Sequence, residues 1–239
     1  MPMFDPFYFL VVGPFMLLSV WASWRVKSRF QHFAQVGTRA GLTGADVARR
    51  ILSTNGIRDV GVEAVDGFLS DHYDPTAKAL RLSPDVFHGR SISALGVAAH
   101  EVGHAIQHAQ SYAWLGLRSV LVKPASIGSN LGIWIFMIGM MVGGAGSVLG
   151  RPVLIAGVVL FGAATLFTLV TLPVEFDASR RALAALEQGG YLRSDEIDGA
   201  RTVLGAAALT YVAAAASSVA TFIYFLLRSG LLGGRRSEE

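Results

Sequence analysis

Long apolar runs alternate with polar segments along this chain. Residues 7–24, 127–149, 152–172 and 207–228 hold almost no charged side chains. Each run approaches or exceeds the roughly 20 residues that a helix needs to cross the hydrocarbon core of a bilayer. The first run ends in an aromatic and basic flank, Trp21 to Arg25, which predicts a retained membrane helix rather than a cleaved signal peptide. The pattern therefore predicts four membrane-spanning helices.

The polar segment after the first run predicts shorter elements. Residues 43–56 have the spacing of an amphipathic helix, with Thr43 as N-cap and Gly56 as stop. Residues 58–65 alternate, and residues 67–83 predict two short strands joined by a turn at 74–76. A helix should follow over 94–109, capped by a serine just before it.

Two prolines, Pro124 and Pro173, are each expected to mark the start of a helix. Pro124 should open the second apolar run after a separate amphipathic helix at the membrane surface. Pro173 suits a first helical turn, so a new helix should begin after the third run. A capped helix from Ser194 should continue directly into the fourth run.

The predicted helix over 94–109 contains His100, Glu101 and His104. Residues four apart lie on one face of a helix, so both imidazoles can reach one metal ion while Glu101 can touch a water on it. This is the HExxH arrangement of zinc peptidases, in which the glutamate is the general base and not a ligand. The alternative is a polar face that is solvated or satisfied by its neighbours.

A catalytic zinc site of this kind needs a third protein ligand. His108 continues the four-residue spacing, but it lies about 12 Å along the axis from His100, which is too far for a straight helix to close. Glu175, just past the third run, is favoured. Asp177 is the alternative, either as the ligand or as an acceptor that orients a ligand histidine.

The predicted hairpin directly before the HExxH helix has two compatible interpretations. It can be an ordinary hairpin that packs on the helix, or a strand that holds an extended substrate by strand addition. The candidate substrate-strand residues are Leu80, Arg81, Leu82 and Ser83. Asp71 and His72 could also bind metal, although we favour their being solvent-facing turn residues.

Composition narrows the class of protein. Of the 239 residues, 52% are hydrophobic and only 15% are charged, which is typical of a membrane protein. Cysteine is absent, so a transition-metal site must use histidine and carboxylate ligands. The net charge is +3 with scattered arginines, so no nucleic-acid surface is predicted.

Three stretches carry a family resemblance: HEVGHAIQ, the preceding DHYDPTAKALRLSPDVFHGRS, and LPVEFDASRRAL with the segment that follows it. They resemble the YugP-type neutral zinc metallopeptidases of bacterial membranes and, more distantly, the HtpX-type membrane proteases. The resemblance implies one Zn²⁺ ion, His100 and His104 as ligands, Glu101 as catalytic base and Glu175 as third ligand. HtpX-type enzymes carry an acidic residue four positions after the ligand glutamate, where this chain has Ser179.

The fold expected from these observations is a mainly α membrane protein with four transmembrane helices and a cytoplasmic, zincin-like α+β portion. That portion would carry a small β-hairpin or sheet and the HExxH helix. The expected segments are a first transmembrane helix (1–26), the zincin-like portion (27–123), a transmembrane hairpin (124–172), cytoplasmic helices with the third ligand (173–206), a fourth transmembrane helix (207–228) and a flexible tail (229–239).

The expected function is a membrane-embedded, zinc-dependent endopeptidase that cleaves peptides or membrane proteins. Asp177, Ser179 and Tyr211 are the candidates for orienting a ligand or stabilising the oxyanion, although a tyrosine in an alanine-rich span is also a common packing residue. A catalytically silent scaffold or quality-control partner with the same fold is the alternative. A metal transporter is disfavoured, because the spans lack ionisable residues at their middle.

Basic residues predict the topology. Most of them lie in 25–123 and 173–206, so the positive-inside rule places these two segments in the cytoplasm. The expected location is the inner membrane of a bacterium, which the chain would cross four times. The active site would then face the cytoplasm.

Overall fold

The computed structural model describes residues 5–231 of the chain. The helices and strands are, in order, α1 (Pro6–Ala34), α2 (Gly44–Thr54), β1 (Gly61–Ala64), β2 (His72–Asp74), β3 (Ala79–Leu82), α3 (Pro84–Phe87), α4 (Ile92–Ala109), α5 (Ala113–Met141), α6 (Gly150–Gln188) and α7 (Ser194–Arg228), with a 3-10 turn at Gly144–Gly146. The predicted flexible tail lies outside the described residues from 232 onward.

Four of these helices are long and apolar enough to cross a membrane. They are α1, α5, α6 and α7, with 29, 29, 39 and 35 residues respectively. The described part of the chain also contains one three-stranded sheet. The predicted fold class, mainly helical with four candidate spans and a small sheet, is therefore confirmed.

Both predicted helix starts at proline are wrong. α5 begins at Ala113 and continues through Pro124, and α6 begins at Gly150 and continues through Pro173. A proline inside a helix removes one backbone hydrogen bond, which long membrane helices tolerate because neighbouring groups compensate for the loss. The long helical segments on both sides of each proline outweigh its local preference for a first turn.

The chain divides into two compact units. The described part of the first comprises 5–21, 116–172 and 211–231, and its buried core is aromatic, with Phe136, Phe161 and Phe225 in contact. The second comprises Ala22–Leu115 and Pro173–Thr210. It contains the sheet, the HExxH helix α4 and the part of α6 that carries Glu175.

The sheet has the strand order β1-β3-β2, so β3 is the middle strand. β3 pairs in parallel with β1 and antiparallel with β2, with Leu80 opposite Tyr73. Leu80 and Leu82 are fully buried in the core of the second unit. The predicted hairpin is confirmed, while the assignment of Leu80, Arg81, Leu82 and Ser83 to a substrate strand stays a prediction. Both edges of β3 are already paired, and β2 has an edge that no strand of the described chain covers.

Local sequence explains why α4 begins where it does. The side chain of Ser91 accepts a hydrogen bond from Ala94 N at 3.2 Å, which satisfies one of the free amides of the first turn. Ser93 instead donates to Phe30 O from inside the helix. Most of α4 is buried, since it packs against other elements of the second unit on several sides.

Two buried glycines on α4 provide a matched test of close packing. A Cβ at Gly103 would lie 2.6 Å from the backbone oxygen of Ala178 on α6, whereas a Cβ at Gly96 would meet the Cβ of Ala200 at an ordinary 3.6 Å. We expect Gly103→Ala to lower the free energy of unfolding by about 1–3 kcal/mol, because α4 and α6 must move apart. Gly96→Ala should be neutral or stabilising by up to about 1 kcal/mol, because alanine has the higher helix propensity.

Thermal unfolding of the two variants in detergent would measure this difference. Equal melting temperatures for Gly103→Ala and Gly96→Ala would contradict the close approach of α4 and α6 at this position.

Candidate metal centre

Three side chains from α4 and α6 converge on one point. The Nε2 atoms of His100 and His104 lie 3.3 and 3.6 Å from Oε2 of Glu175. The three candidate ligand atoms all lie within 4.8 Å of one another, and no other such group of histidine and acidic side chains occurs among residues 5–231. His104 and Glu175 are buried and His100 is half-buried.

The distances and burial fit a metal ion. Ligand atoms about 2.05 Å from a tetrahedral ion lie about 3.3–3.4 Å apart, close to the two separations found here. Oε2 of Glu175 is buried and makes no hydrogen bond of good geometry. A buried carboxylate oxygen without a partner is costly, so it indicates that a further cationic group belongs there. These three residues could hold a metal ion.

The electrostatics of the site keep Glu175 charged. Burial raises the pKa of this carboxyl group, but the imidazoles of His100 and His104 outweigh burial, so its pKa is well below the ordinary value. Burial lowers the pKa of His104, and the nearby carboxylates of Glu175 and Glu101 reverse this, so its pKa is raised. The site is therefore a concentrated negative field that favours a cation.

Gln107 fixes the tautomer of His104. The amide nitrogen of Gln107 donates to Val174 O and to Asp177 Oδ2, both at 2.8 Å. Because both N–H groups of the amide are used, its oxygen faces His104 Nδ1, at 3.0 Å, and accepts a hydrogen bond from the Nδ1–H group. Nδ1 therefore carries the hydrogen, and the lone pair of Nε2 is directed at Glu175 and available to a metal ion.

Ser179 contacts the Nδ1 atom of His100, as Gln107 contacts that of His104. Its hydroxyl lies 3.1 Å from Nδ1 of His100. Oγ can accept the Nδ1 hydrogen, which leaves Nε2 free on the side of Glu175. The predicted contact of Ser179 with the site thus exists, although a neutral hydroxyl stands where HtpX-type enzymes have an acid.

Asp177 does not join the three ligand atoms. Its buried carboxylate accepts hydrogen bonds from Gln107, Arg180 and Arg181. Burial raises the pKa of Asp177, but Gln107 and the two arginines lower this pKa by more than burial raises it, so the carboxyl group is ionised. Asp177 contacts His104 only through Gln107, and it is not part of the converging group of His100, His104 and Glu175.

Glu101 lies beside the histidines and contacts the sheet. Its Oε2 accepts a hydrogen bond from the backbone N–H of Tyr73 on β2, at 3.0 Å, and the side chain is buried. The N–H of Tyr73 therefore points away from β3 and toward α4. This contact holds Oε2 of the Glu101 carboxylate against β2.

The other histidines and acids considered as ligands lie elsewhere. His108 Nδ1 is 2.8 Å from the hydroxyl of Tyr73, outside the cluster. His72 is exposed on β2. Asp71 accepts hydrogen bonds from Ser83 N and Oγ, and burial raises the pKa of its carboxyl group. None of these three side chains joins the group of His100, His104 and Glu175. The expectation of solvent-facing turn residues is wrong for Asp71, which is half-buried, and His72 is exposed but lies on strand β2.

Tyr211 lies on α7 in the first unit. Its role as an oxyanion stabiliser stays a prediction.

Sequence reasoning missed Gln107 and Tyr73. Gln107 follows His104 by three residues, and this helical spacing would have placed the two side chains on one face. No local signal connects Tyr73 with Glu101, since they are 28 positions apart and only the packing of β2 on α4 brings them together.

Comparison with known proteins identifies the family. Residues 8–230 match the family described as "Putative neutral zinc metallopeptidase". The chain is 46% identical over 221 residues to the protein named "Putative membrane protease YugP" of Bacillus subtilis (strain 168), covering 92% of this chain and 95% of that protein. No solved structure matches the chain. With nearly its whole length matched and four helices apolar enough to span a bilayer, this chain belongs to the neutral zinc metallopeptidase family, together with the YugP membrane protease.

Proposed function

We propose that this protein is a membrane-embedded endopeptidase that uses one zinc ion. The observation that carries the proposal is the buried convergence of two imidazole nitrogens on Oε2 of Glu175, with Glu101 on the adjoining turn of α4. His100, His104 and Glu175 would hold the ion, and a tetrahedral site would keep its fourth position for water.

A zinc ion held there would lower the pKa of a water ligand and polarise the carbonyl of the scissile peptide bond. Side chains of the protein orient the two imidazoles and limit the access of bulk water. Gln107 and Ser179 hold the two imidazoles with Nε2 facing the ion. The side chain of Glu175 is 3% exposed, so bulk water competes little for its carboxylate.

Glu101 would transfer the proton. Its Oε2 is held by the Tyr73 N–H, so Oε1 takes the proton of the attacking water and then delivers it to the nitrogen of the leaving amine. A fixed carboxylate of this kind needs little reorganisation during the reaction.

The edge of β2 is the better candidate for holding the substrate. In an extended strand the N–H and C=O of one residue point to the same side, so the Tyr73 carbonyl faces outward with the N–H that binds Glu101. Since Glu101 takes the Tyr73 N–H, a substrate segment would donate a backbone N–H to the Tyr73 carbonyl, and it would then lie beside Glu101. This placement replaces the predicted substrate strand on β3.

Metal analysis combined with a cleavage assay tests the proposed function. The purified protein in detergent should contain about one zinc per chain and cleave casein or a membrane-derived peptide. A chelator should abolish cleavage, and added zinc should restore it. A protein that binds no zinc, or that cleaves equally well after the metal has been removed, would overturn the proposal.

The role of Gln107 can be measured through metal affinity. We expect Gln107→Leu to weaken zinc binding by about 10–100-fold, because the Nδ1 of His104 loses the acceptor that fixes its tautomer. Gln110→Leu is the matched control, since Gln110 lies on the same side of the helix end but contacts Arg181 and not a ligand. Competition with a zinc-binding dye measures both affinities, with circular dichroism to verify folding. Equal affinities in the two variants would contradict the orienting role.

We further propose that the site faces the cytoplasm of a bacterial cell and that the inner membrane is the one spanned. The basic residues of 25–123 and 173–206 support this orientation. The chain has no cysteine, so a Thr76→Cys variant can be labelled with an impermeant maleimide in intact cells. Labelling only after the cells are opened is expected, and labelling of intact cells would contradict the orientation.

A further inference from the structure

One short loop of the second unit, outside the long helices, exposes apolar side chains. Among the residues of the second unit that lie outside α1, α5, α6 and α7, three large hydrophobic side chains are exposed, namely Val36, Phe68 and Leu69. Phe68 and Leu69 are adjacent, 47% and 38% exposed, and form the tip of the loop over residues 67–70, called here the apolar loop. Two neighbouring exposed apolar side chains on a tip indicate an interaction surface.

The apolar loop is held in shape by its own backbone. Leu69 has φ +55°, a left-handed conformation that a branched residue rarely adopts. Gly67 has φ +113°, and its carbonyl accepts a hydrogen bond from Ser70 Oγ at 3.1 Å. Backbone strain at an exposed apolar residue persists where the surroundings fix it, and it is typical of functional segments.

The apolar loop packs against the end of α1 that follows the first apolar run. The rings of Phe68 and Phe30 meet edge to face with centroids 5.6 Å apart, and Nζ of Lys27 is 5.8 Å from the centre of the Phe68 ring. Lys27 follows Trp24, which is 65% exposed, by one helical turn. Aromatic residues followed by basic ones mark the level at which a span leaves the bilayer. The apolar loop is therefore within about one turn of that level.

We propose that the apolar loop docks into the surface of the lipid bilayer, with Phe68 and Leu69 among the headgroups. The occupant is lipid, because the loop packs on Phe30 and Lys27 of α1, and the exposed Trp24 lies one turn before Lys27 on that membrane helix. The basic side chains of Arg25, Lys27 and Arg29 complement anionic headgroups. Asp66 is exposed at the start of the loop, so insertion stops at headgroup depth.

The position of the apolar loop has a consequence for the substrate, and this step rests on the proposed function. β2 begins two residues after the apolar loop, and Tyr73 of β2 binds Glu101. Docking of the loop holds the open edge of β2 next to the membrane surface. The preferred substrates are then peptide segments that emerge directly from the bilayer, not segments of soluble proteins.

Site-directed labelling tests the docking step without requiring activity. The chain has no cysteine, so Phe68→Cys can carry a single spin label in vesicles of phosphatidylcholine and phosphatidylglycerol. Thr76→Cys, exposed in the turn between β2 and β3, is the matched control. We expect the label at 68 to collide more with oxygen and several-fold less with a water-soluble nickel reagent than the label at 76. Equal accessibility at the two positions would overturn the proposal, as would protection that depends on protein density and so indicates a second copy.

A double variant tests the consequence for the substrate. Phe68→Ser with Leu69→Ser should raise KM several-fold for a peptide anchored in the same vesicles. Its kcat/KM for a soluble peptide should stay within twofold of the unmodified protein. Equal losses on both peptides would overturn the substrate preference. If the unmodified protein cleaves neither peptide, the proposed function is wrong, and the spin labels still decide whether the loop docks.

Discussion

Replacing Glu101 by glutamine is expected to lower kcat by about 10²–10⁴-fold while zinc stays bound. Glutamine has nearly the shape of glutamate, and its side-chain oxygen can still accept the hydrogen bond from Tyr73 N that holds the carboxylate at 3.0 Å. What the variant loses is the basic oxygen that takes a proton from water. Glu101 is not one of the three residues whose ligand atoms converge, so the metal content should remain that of the unmodified protein.

The measurement is a pair of assays on the same preparation, namely zinc per chain and initial rate of peptide cleavage. Glu63→Gln is the control, since Glu63 is an exposed glutamate of β1 outside the site. Loss of zinc in Glu101→Gln would show that the residue is a ligand and not a base. If the unmodified protein and the variant have the same effect on membrane-protein turnover in cells, the scaffold function considered from the sequence becomes the better explanation.

Glu175→Gln should have the opposite signature, with metal affinity lost first and activity lost as a result. Oε2 of Glu175 is the atom on which both imidazoles converge, at 3.3 and 3.6 Å, and its buried side chain has no hydrogen bond at this oxygen. The glutamine is neutral, so it neither offsets the charge of the ion nor donates as strong a lone pair. We expect a loss of zinc affinity greater than the roughly 10–100-fold that an orienting residue such as Gln107 contributes.

Glu187→Gln provides the control on the same helix, since Glu187 is exposed near the end of α6. Zinc affinity from competition titrations, measured for both variants at one pH, separates the two positions. A Glu175→Gln variant that retains full affinity would exclude it as the third ligand. Restored cleavage at high zinc concentration would support a loss of binding instead of a loss of chemistry.

The order of the two effects distinguishes the roles of these glutamates. The general base acts only in the reaction, so its loss affects kcat and not metal content. The ligand acts in binding, so its loss affects metal content and, through it, the rate. Identical behaviour of the two variants would mean that Glu101 and Glu175 do not have separate roles.

Much of the architecture follows from local sequence. Four uninterrupted apolar runs can only be stable as helices in a bilayer, because the backbone must satisfy its hydrogen bonds internally there. His100 and His104 share a face because the helix repeats every 3.6 residues, and Ser91 caps that helix with its own side chain. These relations involve residues within one or two turns of each other, so the sequence alone determined them.

Other features were decided by tertiary packing. Pro124 and Pro173 do not begin helices, since the helical segments on both sides of each are long enough to outweigh the local signal. β3 became the middle strand because β1 pairs with its second edge in parallel, a pairing across 18 residues that no hairpin rule predicts. The alternating pattern therefore did not show that both edges of β3 are already paired.

The metal centre combines both kinds of determination. The sequence by itself determined which residues have metal-binding chemistry and that two of them lie on one helical face. Only the tertiary structure decided that Glu175, and not Asp177, meets them. It also decided that Gln107 and Ser179 fix the two imidazoles and that β2 presents Tyr73 to Glu101. The physical reason is that His104 and Glu175 are 71 positions apart in the sequence. Local spacing carries no information over that separation, so the packing of α4 against α6 sets the distances between the three side chains.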